Sequence, residues 1–260
     1  MAELFGLSHL IFSSPAGRLR EGSPLAALLT PPETYRFDHS EAKRGLVALP
    51  GATTALALYN SADGTLPALE LIQTGSQNRA SLESYGLILP ALDGPEASCA
   101  TADALLGPGP LRFVDELPSY AAIRPELLAK HSCAMGAWKL TRYLAAAERF
   151  LKNIAGARKM PSPDGTAHYV CRVVNRKFSN FLWAVAESPL APERHYNDSV
   201  GLACAGWFAR DLGALATAAA AAGFQTTPEF DIDMNGRSFR AAFVHDGLFM
   251  SHEALTVKQP

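Results

Sequence analysis

Two glutamates of the chain lie in apolar segments at the same distance from a glycine. Glu70 in ALELIQ follows Gly64 by six residues, and Glu253 in SHEALTV follows Gly247 by six. A carboxylate buried among apolar side chains needs a partner, whereas one on the polar face of a strand lies in solvent. The equal spacing indicates that the two glutamates hold equivalent places in related units. Each glutamate could be buried with a partner or exposed on the polar face of its strand.

A histidine stands in a third apolar segment, His9 in GLSHLIF. A histidine and a carboxylate from neighbouring strands, with coordination positions left over, suit a hard or borderline divalent ion that must also hold substrate oxygens. The alternative is a half-buried strand histidine whose ring bonds to a backbone carbonyl. These side chains therefore make metal chemistry one of the hypotheses for the chain.

The elements that carry these residues recur along the chain. Residues 200–224 predict a strand, then a helix over 211–222 with Asp211 as its N-cap and Gly223 after its end, and three strand-like segments follow. The same order occurs three more times upstream, most faintly between 80 and 130. With 260 residues each unit has 65, about the length that five short elements need. We therefore predict an α+β fold of four β-α-β-β-β modules. The alternative is an ordinary α+β domain in which helices and strands alternate.

Composition excludes several classes of function. The chain has 23 Lys and Arg against 25 Asp and Glu, and this balance offers no field for nucleic acid or an anionic membrane. It has no apolar run of membrane-spanning length and no basic signal-peptide start, so we expect a cytoplasmic protein, a monomer or homodimer, whose partner is a small molecule. Phosphate-binding, dinucleotide-binding and nucleophile-elbow motifs are missing. The four cysteines lack C-x-x-C spacing and are predicted to be free, mostly buried thiols: Cys99, Cys133, Cys171 and Cys204.

Four motifs, in order along the chain, carry a family resemblance: LSHLIF, ALELIQ, ERFLKNIAG and RDLGALATAAAAAGF. With them the chain resembles the vicinal oxygen chelate superfamily, which includes glyoxalase I, bleomycin-resistance proteins, fosfomycin-resistance enzymes, methylmalonyl-CoA epimerase and extradiol dioxygenases. The resemblance implies modules paired into two cup-shaped mixed sheets with the helices outside. On that basis we expect an N-terminal pair of modules over 1–130 and a C-terminal pair over 131–260.

The resemblance also implies a set of metal ligands. His9 matches the first-strand histidine of the family and Glu70 the last-strand glutamate, and Glu253 holds the glutamate position in the last module. The histidine position of the last module falls at Cys204, where a thiolate would favour softer ions. These residues form one site only if the first and last modules pair. If neighbouring modules pair, His9 and Glu70 lack a third ligand.

Substrate-binding residues follow from the alternation of side chains along the implied cup strands. Counting from Cys204 places Phe208 on the pocket side. By the resemblance, the histidine position of the third module falls at Gly136, and counting from it places Trp138 on the pocket side as well. We therefore predict Trp138, Phe208 and Cys204 as substrate-binding residues, assign no catalytic residue, and expect the loops 31–44 and 187–199 to set specificity.

The resemblance implies a protein that acts on a small oxygenated organic molecule in a sheet-lined cup, as a metal-assisted isomerase, lyase or dioxygenase. The cofactor would be a divalent metal ion of unknown identity. The alternative is a metal-free protein of the bleomycin-resistance type that binds or sequesters its ligand in an aromatic-lined pocket. A third interpretation is a structural partner whose cup is filled by its own side chains.

Overall fold

The structure, a computed structural model, describes most of the C-terminal half of the chain and about half of the N-terminal half. The described residues are 3–14, 17–19, 24–38, 53–73, 85–88, 99–100, 125–162, 165–189, 191, 201–234, 237–246 and 248–258.

Fifteen strands and a few short helices make up these residues. The strands are β1 Leu4–Ser14, β2 Glu33–Asp38, β3 Thr53–Tyr59, β4 Ala68–Gln73, β5 Tyr85–Ile88, β6 Cys99–Ala100, β7 Cys133–Thr141, β8 Arg158–Met160, β9 Thr166–Arg172, β10 Asn180–Glu187, β11 Gly201–Ala209, β12 Gln225–Thr226, β13 Phe230–Met234, β14 Arg237–His245 and β15 Ser251–Val257. The α-helices are α1 Pro125–Lys130, α2 Leu144–Arg149 and α3 Leu212–Ala221, with a 3₁₀ helix at Pro24–Leu28 and a π-helical turn at Phe150–Ile154 that continues α2.

The strands form two mixed sheets. Sheet I has the order β12-β14-β15-β11-β1-β4-β3-β2, with β13 paired to β14, and sheet II has the order β6-β5-β7-β10-β9-β8. In sheet I, β1 and β11 are antiparallel, whereas β1 and β4 are parallel, as are β11 and β15. Mixed sheets with few helices agree with the predicted α+β class. The cup shape and the complete set of four modules stay predictions, because residues 89–98 and 101–124 of the second module lie outside the described residues.

The pairing of modules joins the two ends of the chain. Sheet I combines the strands of the first and last modules through β1 and β11, and sheet II joins β5 of the second module to β7 of the third. Each sheet therefore takes strands from both halves of the chain, so the sheets do not follow the pairs expected over 1–130 and 131–260. Where a domain boundary falls stays a prediction.

One apolar core joins the two sheets and the helices between them. It includes residues from β1, β4 and β11 of sheet I, from β7, β9 and β10 of sheet II, and from α2 and α3. Trp183 of sheet II stacks on Trp207 of sheet I with ring centroids 6.4 Å apart, and Phe150 contacts Trp207 at 6.0 Å. Trp207 thus packs between the two sheets. The opposite face of sheet I carries the candidate site.

Local signals in the last module are confirmed. Asp211 caps α3 because its Oδ1 accepts a hydrogen bond from the Ala214 amide at 2.7 Å, and Gly223 follows the helix with a φ of +81°. The expectation of a specificity loop over 31–44 is wrong for Glu33–Asp38, because these residues form strand β2. It pairs antiparallel with β3, so its backbone groups are bonded in the sheet. The other predicted loop, 187–199, lies mostly outside the described residues.

Candidate functional site

The strand register brings three of the predicted site residues to the middle of sheet I. Ile11 pairs with Glu70, His9 pairs with Gly206, and Gly206 pairs in turn with Glu253. Side chains alternate along a strand, and the neighbours Leu10, Leu69 and Ala254 belong to the shared core on the opposite face. His9, Glu70 and Glu253 therefore lie on one face, although they come from both ends of the chain.

The imidazole of His9 lies between the two carboxylates. Its Nε2 is 3.2 Å from Glu253 Oε2 and 3.6 Å from Glu70 Oε2. His9 is 4% exposed, Glu70 8% and Glu253 6%, so the cluster is almost fully withdrawn from solvent. Nε2 makes no well-aligned hydrogen bond among the described residues, although both carboxylates are close. A buried polar atom that faces two acceptors in this way is a candidate for binding a further group.

Two neighbours fix the position of the His9 ring. Gly206 lies directly beneath it, and a Cβ added there would meet His9 Cε1 at 2.0 Å. The other ring nitrogen, Nδ1, is 3.1 Å from Ser8 Oγ. When Nδ1 donates its proton to that hydroxyl, the lone pair of Nε2 is directed at the carboxylates, which is the tautomer that a metal requires. Gly206 was missed by the sequence analysis, although a glycine inside an apolar strand can signal close approach of another group.

The pKa values of His9 and Glu70 are both raised above those of isolated side chains. Burial opposes protonation of His9, but the adjacent Glu253 and the charge of Glu70 outweigh it, so the pKa of the imidazole is raised. Burial also raises the pKa of Glu70, an effect that His9 opposes and Glu253 strengthens. Both pKa shifts have the same cause, because two carboxylates and one imidazole lie close together in a site with little water.

Cys204 and Phe208 lie on the same face as the cluster. Cys204 is buried at 2% exposure, and burial, followed by the charges of Glu253 and Glu70, raises the pKa of its thiol. Phe208 is half-buried and stacks on Phe5 with a centroid distance of 6.0 Å. On the other side, Phe243 pairs with Glu253 across the strands and stacks on Phe230 at 5.6 Å. Aromatic pairs thus flank the polar cluster, and Phe243 was not identified from the sequence.

Trp138 lies elsewhere, on sheet II. It is fully buried in a second apolar cluster with Leu140, Leu182 and Ala184, which also includes Leu128 of α1. The structure therefore does not bring Trp138 together with Phe208, Cys204 and the His9 cluster. Its role in substrate binding stays a prediction.

The side chains of the cluster are of types that bind divalent ions, and two of the distances between them can be compared with metal geometry. Within the described part of the chain, no group of three or more His, Cys, Asp or Glu side chains is arranged to hold a metal ion. Two ligands bonded to one ion at about 2.1 Å are about 3.0 Å apart at right angles and about 3.4 Å apart in a tetrahedron. The two distances from His9 Nε2 are close to this range. The predicted metal-ligand set of His9, Glu70 and Glu253 therefore stays a prediction.

The predicted cysteine chemistry is confirmed where it can be seen. Cys133, Cys171 and Cys204 are free and buried, whereas the side chain of Cys99 lies outside the described residues. Among the helices of the described residues, none is long and apolar enough to span a membrane.

Comparison with known proteins gives structural likenesses only. No protein-family model and no curated protein matches the chain. Glyoxalase I from Zea mays is 13% identical, with 97% of this chain and 68% of that chain covered and a TM-score of 0.33. The fosfomycin resistance protein FosX from Mesorhizobium loti is 13% identical over 46% of this chain and 86% of its own, with a TM-score of 0.33. A putative dioxygenase from Bacillus subtilis is 13% identical over 98% of this chain and 64% of its own, with a TM-score of 0.34.

At such identities and TM-scores, these likenesses are not evidence for an activity of this chain.

Proposed function

We propose that this chain is a vicinal-oxygen-chelate-type protein that acts on a small oxygenated organic molecule at the face of sheet I. His9, Glu70 and Glu253 would hold a divalent metal ion there. The observation that carries the proposal is the buried Nε2 of His9, which lies 3.2 and 3.6 Å from two carboxylates without a well-aligned hydrogen bond. When bound, such an ion acts as a Lewis acid that polarises a substrate oxygen.

The electrostatics of the cluster support this proposal. Two buried carboxylates repel each other, and one imidazole compensates for at most one of them. A divalent cation held by His9, Glu70 and Glu253 would balance both charges and leave His9 neutral. His9 lies on β1, Glu70 on β4 and Glu253 on β15, all in sheet I. The sheet therefore holds the three side chains in position without an ion.

The apolar surroundings support a pocket for an organic molecule. Ile11, Leu58 and Leu255 lie at register positions beside the cluster and are buried. They exclude water from the polar groups, so charges there interact strongly. Phe208 and Phe243 are half-buried on the two sides of the cluster and would pack against the carbon part of a ligand.

The test is metal analysis of the full chain prepared without a metal-affinity tag. We expect about one equivalent of divalent metal in the wild type, since three convergent donors make one site. The His9→Ala variant should lack it, while the control His131→Ala should retain it, because His131 lies in a turn after α1 and away from the cluster. Glu253→Gln should lose metal and the control Glu187→Gln should not. Wild-type protein that binds no metal even in excess divalent ion would overturn the proposal.

A second candidate is metal-free binding of a largely apolar molecule. The aromatic pairs Phe208 with Phe5 and Phe243 with Phe230 favour it, because they border the site face independently of any metal. In that case a hydrophobic dye would bind the wild type and lose affinity in Phe208→Ala, whereas chelators would change nothing. Dye binding that depends on added metal would instead favour the first proposal.

A further inference from the structure

A β-bulge in β1 lies directly before His9. Leu7 pairs with Trp207 of β11, and His9 pairs with Gly206, which precedes Trp207. Between these pairs β1 has one residue more than β11, and that residue is Ser8. Consecutive residues of β11 point to opposite faces of the sheet, and Trp207 belongs to the shared core. The bulge therefore turns His9 to the face opposite to Leu7, and without it the imidazole would point into the core.

A turn of sheet II is bonded to β1 at this bulge. The turn joins β9 to β10 over residues 173–179, and we call it the β9–β10 turn. Its Val174 amide donates a hydrogen bond to the Leu7 carbonyl oxygen at 2.8 Å. The two chains also pack closely, since a Cβ added at Gly6 would meet Val174 Cγ2 at 2.5 Å. The β9–β10 turn thus fixes the backbone of β1 two residues before His9.

The same turn is bonded to the segment that leads into β4. Asn175 Nδ2 donates hydrogen bonds to the carbonyl oxygens of Thr65, at 2.7 Å, and Leu66, at 3.4 Å. Ser179 Oγ also donates a hydrogen bond to the Thr65 carbonyl oxygen. Glu70 follows Leu66 by only four residues. The β9–β10 turn therefore contacts the approaches to both strands of the first module that carry site residues.

Asn175 also shapes the turn itself. Its Oδ1 accepts hydrogen bonds from the amides of Lys177, at 3.2 Å, and Ser179, at 3.3 Å. Its Nδ2 donates to Ser179 Oγ at 2.9 Å. The side chain is half-buried and lies outside both apolar clusters, so its replacement removes polar contacts and not core packing. One amide group thus connects the turn internally and ties it to the first module.

We propose that Asn175 is a positioning residue for the site on sheet I. The turn that it organises holds the bulge that directs His9 to the site face, and it holds the segment that leads to Glu70. Outer groups of this kind set the orientation of binding side chains without contacting the ligand. This inference rests on the proposed function of the site and adds to it a residue from sheet II.

The test compares two asparagine variants of the full-length, metal-free chain. Asn175→Ala removes the bonds to the first module. The control Asn180→Ala removes a bond of the same kind, from Nδ2 to the His131 carbonyl oxygen at 3.0 Å, which lies in the turn before β7. The readout at fixed pH is the Cε1–Hε1 NMR resonance of His9, assigned among those of the seven histidines by its absence from His9→Ala. Asn175→Ala should shift this resonance, and Asn180→Ala should leave it in place.

Ser179→Ala is a second variant in case Asn175→Ala does not fold. It removes one hydroxyl that donates to the Thr65 carbonyl oxygen, and it should shift the His9 resonance as well. A His9 resonance that stays in place in Asn175→Ala and Ser179→Ala would overturn the positioning role. Equal shifts in Asn175→Ala and Asn180→Ala would also overturn it, because they would reflect general loosening of the chain.

Titrations with Zn²⁺, Mn²⁺ and Mg²⁺ give the second readout. Whichever ion the wild type binds, Asn175→Ala should bind it about tenfold more weakly and Asn180→Ala should bind it as the wild type does. Unchanged affinity in Asn175→Ala would overturn the inference and leave the proposed function intact. Wild-type protein that binds none of the three ions would overturn the proposed metal function, and the His9 resonance would then decide the positioning role by itself.

Discussion

The close contact between the His9 ring and Gly206 predicts that Gly206→Ala lowers folding stability. The three heavy atoms nearest to an added Cβ all belong to the His9 ring, at 2.0, 2.4 and 2.5 Å. The ring must move by about 1.4 Å to reach ordinary contact. Overpacking of this kind costs about 1–3 kcal/mol of folding stability. If His9 binds a metal as proposed, displacing its ring should also weaken metal binding by about 10- to 100-fold.

A double-mutant cycle tests this cause directly. Urea denaturation would give the free energy of unfolding of the wild type, Gly206→Ala, His9→Ala and the double variant. If the clash is with the imidazole, Gly206→Ala destabilises the wild type by about 1–3 kcal/mol and changes the His9→Ala background by less than about 0.5 kcal/mol. An equal cost in both backgrounds would refute the reasoning, because it would place the clash elsewhere.

Three other predictions follow from the structure. Lys139 is buried with Nζ 3.5 Å from the Leu202 carbonyl oxygen, and burial lowers its pKa from 10.5 to about 8. Between pH 8 and 10.5 the folded chain binds fewer protons than the unfolded chain, so the free energy of unfolding of the wild type should rise with pH relative to that of Lys139→Met, by up to about 3 kcal/mol. Urea titrations that give a constant difference between the two proteins across this pH range would contradict the prediction. Asp211→Ala should cost about 1 kcal/mol through loss of the α3 cap, and Asp211→Asn should recover most of it in the same assay. Trp138→Phe should lower the unfolding midpoint in urea without changing the affinity for the hydrophobic dye, whereas a loss of dye affinity at normal stability would assign Trp138 to the functional site.

Short-range features were predictable from the sequence. The cap at Asp211, the glycine after α3 and the opposite faces of His252 and Glu253 follow from local geometry. His252 indeed lies on the core side, where its Nδ1 accepts a hydrogen bond from Trp207 Nε1 at 3.2 Å. Its ring also stacks on Phe150 at 3.3 Å. Each of these features depends on a few consecutive residues.

The pairing of modules was not predictable from the sequence. It depends on the antiparallel contact of β1 with β11, strands at opposite ends of the chain whose apolar sequences would suit several partners. The same is true of β2, whose residues were expected in the loop 31–44 and which forms a strand, Glu33–Asp38, through its pairing with β3. The meeting of His9 with Glu253 follows from the first of these contacts.

The contrast between the two sheets bears on why the polar cluster exists. In sheet II, Gly136 pairs with Leu182 and Trp138 pairs with Ala184, at places that correspond to those of His9 and Ile11 and their partners in sheet I. Apolar side chains fill that face without a buried carboxylate at these positions. The architecture therefore does not need the His9 cluster for its packing. Burying two carboxylates and an imidazole without full hydrogen bonding is costly, so replacing the cluster with apolar side chains should stabilise the empty protein. That expected gain is the physical reason to regard His9, Glu70 and Glu253 as a binding site and not as part of the core.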